Sequence, residues 1–527
     1  MKAREPEGCK IQKRSEIYLI LAALCFLIYA NSLNNAFISD DIPAILKNTA
    51  ISNTFRFWSD PSSFLNSLNY LLAGYNPFVY HLTNIILHSL NTILIFIFLN
   101  LFFKTEASLL AACLFAAHPI HTEAVTWVSG RPYLITSLFI LVAYLLYHRV
   151  AVAVNEGRKL NFIRYFLCFV ISSYYMVINF TFYFIFPFFL VLLDITFGRW
   201  RKTWKLWLPF LSFFILRVML ARNLIAGRIS FVAGEIGQEV TWSNPLFNFA
   251  YSFFTHIWLL LWPAKLTLYH EPAVISAPAL KVELFFLALL LISLPFIFKR
   301  AKELFFGIAV FILFLAPTYS PVMVSWLVAE RYLYFPSIIL SIFLAFFYGD
   351  VSIFNLFNEK QKNRNVPIIK LGASIFLIAG FAVRTVARNE DWKTAQSFWR
   401  QTVLVSYNSP RAHNNMGDAY CQEGNLEGGI REFKKAIELK PDYADAYHNL
   451  ANVYHNKGDI DEAIRSYQQA VYFNPKLFES HYNLGIIYLG LSRFDSAALE
   501  LEKAVQIRPE DKNARQALAL AYEKAKR

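Results

Sequence analysis

The sequence predicts an all-α protein in two bodies, a polytopic membrane part followed by a water-facing α-solenoid. Three observations carry this. The 527 residues are 56% hydrophobic and only 17% charged, whereas a soluble domain is roughly half apolar and about a quarter charged. The apolar excess is uneven: runs recur from Ile17 to about Val386 between short polar loops, and the text turns charged after Arg388. Finally, Pro441, Pro475 and Pro509 recur at a fixed spacing of 34 residues.

A helix needs about 20 apolar residues to cross a bilayer. Eleven tracts qualify: 17–33, 79–103, 107–128, 132–148, 161–178, 180–197, 204–221, 282–298, 303–319, 333–349 and 368–385. A twelfth, 246–262, is read as interfacial or re-entrant. The charges supply the reason, because cytoplasmic loops carry excess Lys and Arg. The N-terminal MKAREPEGCKIQKR is basic, as are alternate loops at Lys104, Arg149 with Arg158 and Lys159, Arg199 to Lys202, Lys299 to Lys302, and Lys360 to Arg364. If 246–262 spanned, Lys299–Lys302 would fall outside. Eleven spans place the start inside and the solenoid outside. The first apolar tract has the look of a signal peptide, but it leads into ten more and is read as an uncleaved first helix. The net charge of +13 then reflects topology, and no nucleic acid partner is expected. Cys9, Cys25, Cys113, Cys168 and Cys421 are scattered and read as packing residues.

Aligning on the prolines gives RAHNNMGDAYCQEGNLEGGIREFKKAIELKP, ADAYHNLANVYHNKGDIDEAIRSYQQAVYFNP and FESHYNLGIIYLGLSRFDSAALELEKAVQIRP. Small residues recur at Gly417, Ala451 and Gly485, and tyrosines at Tyr420, Tyr454 and Tyr488. This is the tetratricopeptide pattern, paired helices whose small residues allow close approach. Residues 410–527 form the repeat domain, three repeats with residues 511–527 as a cap helix. Residues 389–409 form a connecting half-repeat, and residues 1–388 form the membrane domain. Asn415, Asn449 and Asn483 share one position on each first helix, where side-chain amides suit the backbone of a bound peptide; asparagine is also simply common there.

Ionisable groups in membrane segments cost a few kcal/mol each and are functional candidates by default. In AAHPIHTEAVTWVSGR, His118, His121 and Glu123 sit near the outer end of the third tract and Arg131 in the next turn. Pro119 removes a helix hydrogen bond, so the backbone should bend there. A mutually satisfied His/Glu/Arg cluster is the plain alternative. Zinc is disfavoured, because HPIHTE lacks the HExxH spacing. Two further stretches lie on the same expected side. FISDDIPAILKN holds Asp40 and Asp41, and VAERYLYFPS holds Glu330, Arg331, Tyr332 and Tyr334. Three such stretches at one depth point to a shared site.

FISDDIPAILKN, HPIHTEAVTWVSGR, LLLWPAKLTLYH, AERYLYFPS and RNEDWKTAQSFW, followed by tetratricopeptide repeats, together resemble the transmembrane and tetratricopeptide repeat-containing (TMTC) family. That family is related to protein O-mannosyltransferases of the membrane GT-C fold. The resemblance implies transfer of a sugar, mannose in the leading case, from a polyprenyl phosphate to a protein Ser or Thr hydroxyl on the non-cytoplasmic face. Asp40 matches the first acid of the family pair and is the implied general base, with Asp41 second. Arg131 and Arg331 suit the leaving phosphate. His118, His121 and Glu123, with Tyr332, would bind or orient donor sugar and phosphate, and Glu330 would hold Arg331. The expected setting is a bacterial inner membrane with periplasmic repeats, or an endoplasmic reticulum membrane with lumenal ones. The Asp pair leaves a divalent cation open. One departure stands out: MVINFTFYFIFP has Phe180 and Thr181 where the family commonly shows a Lys-Glu pair. Two alternatives remain, a non-catalytic membrane-anchored scaffold and a GT-C enzyme acting on envelope glycan or lipid.

Overall fold

The computed structural model describes residues 7–51, 60–178, 185–231, 245–270, 277–319, 328–348 and 365–526. The chain divides into two compact units, Met1–Thr394 and Ala395–Arg527. Phe180 and Thr181 lie outside the described residues.

In the first unit the helices are α1 (Glu7–Tyr29), α2 (Pro61–Ala73), α3 (Pro77–Leu99), α4 (Thr105–Ala117), α5 (Thr122–Thr126), α6 (Arg131–Asn155) and α7 (Phe162–Ile178). There follow α8 (Phe186–Thr196), α9 (Trp200–Phe231), α10 (Pro245–Leu261), α11 (Ala277–Arg300), α12 (Lys302–Leu315), α13 (Ile338–Tyr348) and α14 (Asn365–Asp391). Among the described residues, six helical stretches are long and apolar enough to cross a membrane: Ser15–Ser32, Pro77–Leu99, Val128–Asn155, Trp200–Leu220, Lys281–Arg300 and Ile369–Asp391. Four of the other expected tracts carry the shorter helices α7, α8, α12 and α13.

The remaining tract, 107–128, is not one regular span. Helix α4 stops at Ala117, and His118 turns to extended backbone (φ −71°, ψ 125°) ahead of Pro119. A residue before proline is pushed out of the helical region by the pyrrolidine ring, and proline has no N–H to give. The chain continues through a 3₁₀ turn at Pro119–His121, α5, and a second 3₁₀ turn at Val128–Gly130. This irregular stretch is buried almost throughout. Irregular backbone is tolerated at such depth only inside protein, and neighbours surround it here. Helix α4 packs on α1, α3, α13 and α14, and its Ala107, Ala111, Ala112 and Ala117 are essentially unexposed. Small residues of this kind let membrane helices approach closely.

The second unit begins with α15 (Ala395–Val405) and then pairs α16 (Pro410–Gln422) with α17 (Leu426–Leu439), α18 (Ala444–Lys457) with α19 (Ile460–Phe473), and α20 (Phe478–Gly490) with α21 (Phe494–Ile507). Helix α22 (Lys512–Ala525) follows. Each second helix ends two residues before its repeat proline. The recurring small residues have a steric cause: a Cβ on Gly417 would stand 2.7 Å from the Phe433 ring, and one on Gly485 2.6 Å from Leu501.

Candidate functional site

The first polar stretch is built on Asp41. Its Oδ1 accepts from the Ser129 backbone N–H at 2.7 Å and from Ser129 Oγ at 2.5 Å, which ties the loop after α1 to the turn before α6. Asp41 is buried, and burial pushes its carboxyl up to about 6, against the Ser129 hydrogen bonds and the Arg131 charge that pull it down. Asp40, the preceding residue, is exposed. The adjacent acids thus differ sharply in exposure. Ser39, just before the pair, has a φ of +52°, in the left-handed region. A non-glycine residue there stores on the order of 1 kcal/mol, and such strain concentrates at functional sites.

Arg131 is 1% exposed, and neutral oxygens hold each of its nitrogens. Nε donates to Asn84 Oδ1 at 2.8 Å, one terminal nitrogen to Asn66 Oδ1 at 2.6 Å, and the other to the Tyr80 carbonyl at 3.0 Å. Asn84 in turn donates to the carbonyls of Val125 and Trp127. The cage therefore fixes the irregular stretch against α3. Gly130 is required beside it, since a Cβ there would meet the Glu123 carbonyl oxygen at 2.6 Å.

Glu123 closes the circle. Its carboxylate accepts the Arg331 backbone N–H at 2.8 Å and pairs with the Arg331 guanidinium. Glu330, expected to hold Arg331, instead stands 3.6 Å from Arg388 and 3.5 Å from His270. The reason is local: Glu330–Leu333 is a 3₁₀ turn, which points adjacent side chains in different directions. The Arg331 guanidinium lies 5.2 Å from the Tyr332 ring and 5.8 Å from Trp127, and Tyr332 packs 6.0 Å from Tyr133.

The two histidines point away from this carboxylate. His118 Nε2 bonds the Leu260 carbonyl at 2.9 Å, while its Nδ1 accepts from Ile120 N–H. His121 Nε2 bonds Ser337 Oγ at 2.7 Å. The structure thus links Asp41, Arg131, Glu123 and Arg331 through three stretches of chain, and places His118 and His121 on contacts to α10 and the start of α13. Sequence reasoning passed over His81, Asn84, His88 and Asn91. Their spacing puts them on one face of α3, a polar stripe in an apolar helix, and all four are buried. His88 Nδ1 bonds the Tyr334 hydroxyl at 2.7 Å.

In the second unit Asn415, Asn449 and Asn483 are half-buried. Asn449 donates to Asn414 at 3.1 Å, and Asn483 donates to Asn452 and to the Tyr467 hydroxyl, both at 3.2 Å. Asn449 and Asn483 thus tie one repeat to the next.

Comparisons with known proteins fall into two groups. Models of the "TPR repeat" match residues 417–458 and 451–492, and one of the "Tetratricopeptide repeat" matches 478–511. Among solved structures, that of MamA is 26% identical with a TM-score of 0.23, covering 25% of this chain and 72% of that one. Along most of the chain the similarity is to curated proteins. "Protein O-mannosyl-transferase TMTC3" of Homo sapiens is 27% identical over 510 residues, 81% of this chain and 52% of its own length. The Drosophila melanogaster Tmtc3 protein is 25% identical over 540 residues, 83% of this chain and 57% of its own. Drosophila melanogaster Tmtc1 reaches 38%, over 150 residues, 24% of this chain and 18% of its own. The chain spans about half the length of the TMTC3 proteins it matches.

Proposed function

We propose that this chain, a relative of the TMTC proteins, is a membrane glycosyltransferase of the inverting GT-C type. A sugar, mannose in the leading case, passes from a polyprenyl-phosphate donor to a protein Ser or Thr hydroxyl on the non-cytoplasmic side. That side is periplasmic in a bacterium and lumenal in an endoplasmic reticulum membrane. The solenoid recruits the acceptor or a partner protein. The alternation of basic loops along the sequence supports the orientation.

The observation that carries this reading is the division between neighbouring acids, with Asp41 buried and tied to Ser129 while Asp40 is exposed. In the proposed step Asp40 accepts the proton of the acceptor hydroxyl as its oxygen attacks the anomeric carbon. The bond from that carbon to the phosphate oxygen breaks, its electron pair leaves on the lipid phosphate, and the sugar configuration inverts. Arg331 is the less buried of the two site arginines (side chain 11% exposed) and stabilises the growing phosphate charge. Arg131 adds charge from within its cage and holds the loop. The test is reconstitution of the full chain in vesicles with polyprenyl-phosphate mannose and a Ser/Thr-rich peptide. A peptide mass increase of one hexose is expected; donor left intact with every peptide offered contradicts the reading.

A further inference from the structure

Glu330, His270 and Arg388 come from three separate stretches: the turn before α13, the segment after α10, and the last turn of α14. His270 Nε2 is 3.5 Å and Arg388 Nη2 3.6 Å from Glu330 Oε1. The side chains of Glu330 and Arg388 are each 1% exposed and that of His270 10%. These are ion-pair separations, longer than good hydrogen bonds. Among the described residues, neither Glu330 oxygen makes a hydrogen bond, nor do Arg388 Nε and Nη2 or His270 Nε2. Buried polar groups are nearly always hydrogen-bonded, and those that are not call for an explanation. Glu123 shows the contrast, since it accepts both from the Arg331 backbone and from its guanidinium.

The chemistry of the three groups narrows what they would take. Two carboxylate oxygens need donors, and two guanidinium N–H groups need acceptors. Neighbouring hydroxyls on one ring answer both, because each can donate to the acid while accepting from the base. An anion is poorly matched. Arg388 already faces Glu330 and also pairs with Asp391 at 2.9 Å, so two acids flank one cation. Buried indole rings border the cluster: Trp392 is 5.9 Å from the Arg388 guanidinium, and Trp127 is 6.1 Å from Trp392.

We propose that Glu330, Arg388 and His270 form a subsite that recognises vicinal hydroxyls of the donor's pyranose ring. This rests on the glycosyltransferase reading and deepens it, because it separates the group that reads the sugar from the residues that face the phosphate. Glu330 accepts from two ring hydroxyls, and Arg388 and His270 fix the pair from either side.

The test uses the full chain in nanodiscs and two probes, polyprenyl-phosphate mannose and bare polyprenyl phosphate, with methyl mannoside as a soluble control. Glu330→Gln should weaken the mannosyl lipid about tenfold, the scale of one lost hydrogen bond to a charged group, and leave the bare lipid within about twofold. Arg388→Lys, which keeps the charge but not the reach, should likewise weaken the mannosyl lipid more than the bare lipid. Equal weakening of both lipids, or of neither, overturns the subsite. Weakening of methyl mannoside alone overturns its assignment to the donor. If the unaltered chain binds neither lipid, the glycosyltransferase reading falls and the subsite with it.

Discussion

Glu123 and Arg331 stand 208 residues apart in sequence, yet the carboxylate of one takes both the backbone N–H and the guanidinium of the other. Both side chains are largely withdrawn from solvent, at 1% and 11% exposure. A carboxylate bonded to a backbone amide as well as a side chain fixes the turn at 330–333 in position as well as in charge.

Breaking this pair should be costly, since removing one partner leaves a buried charge uncompensated, typically at about 3–5 kcal/mol. Glu123→Ala is therefore expected to lower the melting temperature of the detergent-solubilised chain strongly. Arg331→Ala should do so less, because Glu123 keeps the backbone N–H. Equal and small shifts in both would mean that the turn is held by other contacts.

Gly130→Ala is expected to disrupt the same region without touching a charge. The added methyl would meet the Glu123 carbonyl oxygen at 2.6 Å and Ala124 Cα at 2.9 Å, backbone atoms that cannot swing aside. Gly424→Ala in the solenoid is a useful contrast: no atom lies near, but φ is +82°, so only the modest left-handed penalty of about 1 kcal/mol applies. Proteolytic sensitivity of the full chain compares the two.

Asp41 makes stability depend on pH in a defined window. Its folded carboxyl titrates at about 6, above the unfolded value near 3.9. The native state therefore holds the proton more tightly, and stability falls as pH rises from about 4 to about 6, then levels. Asp41→Asn keeps an oxygen for Ser129 and should flatten that slope. Thermal unfolding of both forms across the window gives the answer, and an unchanged slope would contradict it.

In the second unit His413 donates to Glu432 at 2.7 Å and to the Tyr407 carbonyl at 3.0 Å. Burial pulls its pKa down, but these hydrogen bonds prevail and the net shift is upward. The stabilisation is complete below the unfolded value near 6.5 and is lost as pH rises through the folded one. Hydrogen exchange over 410–439 in the full chain should quicken on going from pH 6 to pH 8.5 beyond the intrinsic rate, and His413→Gln should abolish that excess.

The repeats were legible because their spacing is enforced by sterics: Gly417 and Gly485 sit where a methyl would strike Phe433 and Leu501, and prolines punctuate each second helix. Hydropathy located the apolar tracts, and Pro119 announced the break after α4. Partner choice was not legible. Glu330 is adjacent to Arg331 in sequence, but a 3₁₀ turn separates them and a distant Glu123 takes the arginine. The Arg131 cage was hidden too, since Asn66 and Tyr80 offer no pattern until the helices fold together, whereas the stripe His81, Asn84, His88 and Asn91 was readable from helical spacing alone.

The assignment of Asp40 is the point on which the proposed chemistry turns. The most direct measurement is initial-rate hexose transfer by the reconstituted chain and its Asp40→Asn variant, with donor binding measured alongside. A rate loss of about 10² to 10⁴, typical of removing a general base, with donor affinity within about twofold, is the expected result. Transfer by Asp40→Asn at the unaltered rate would contradict the mechanism.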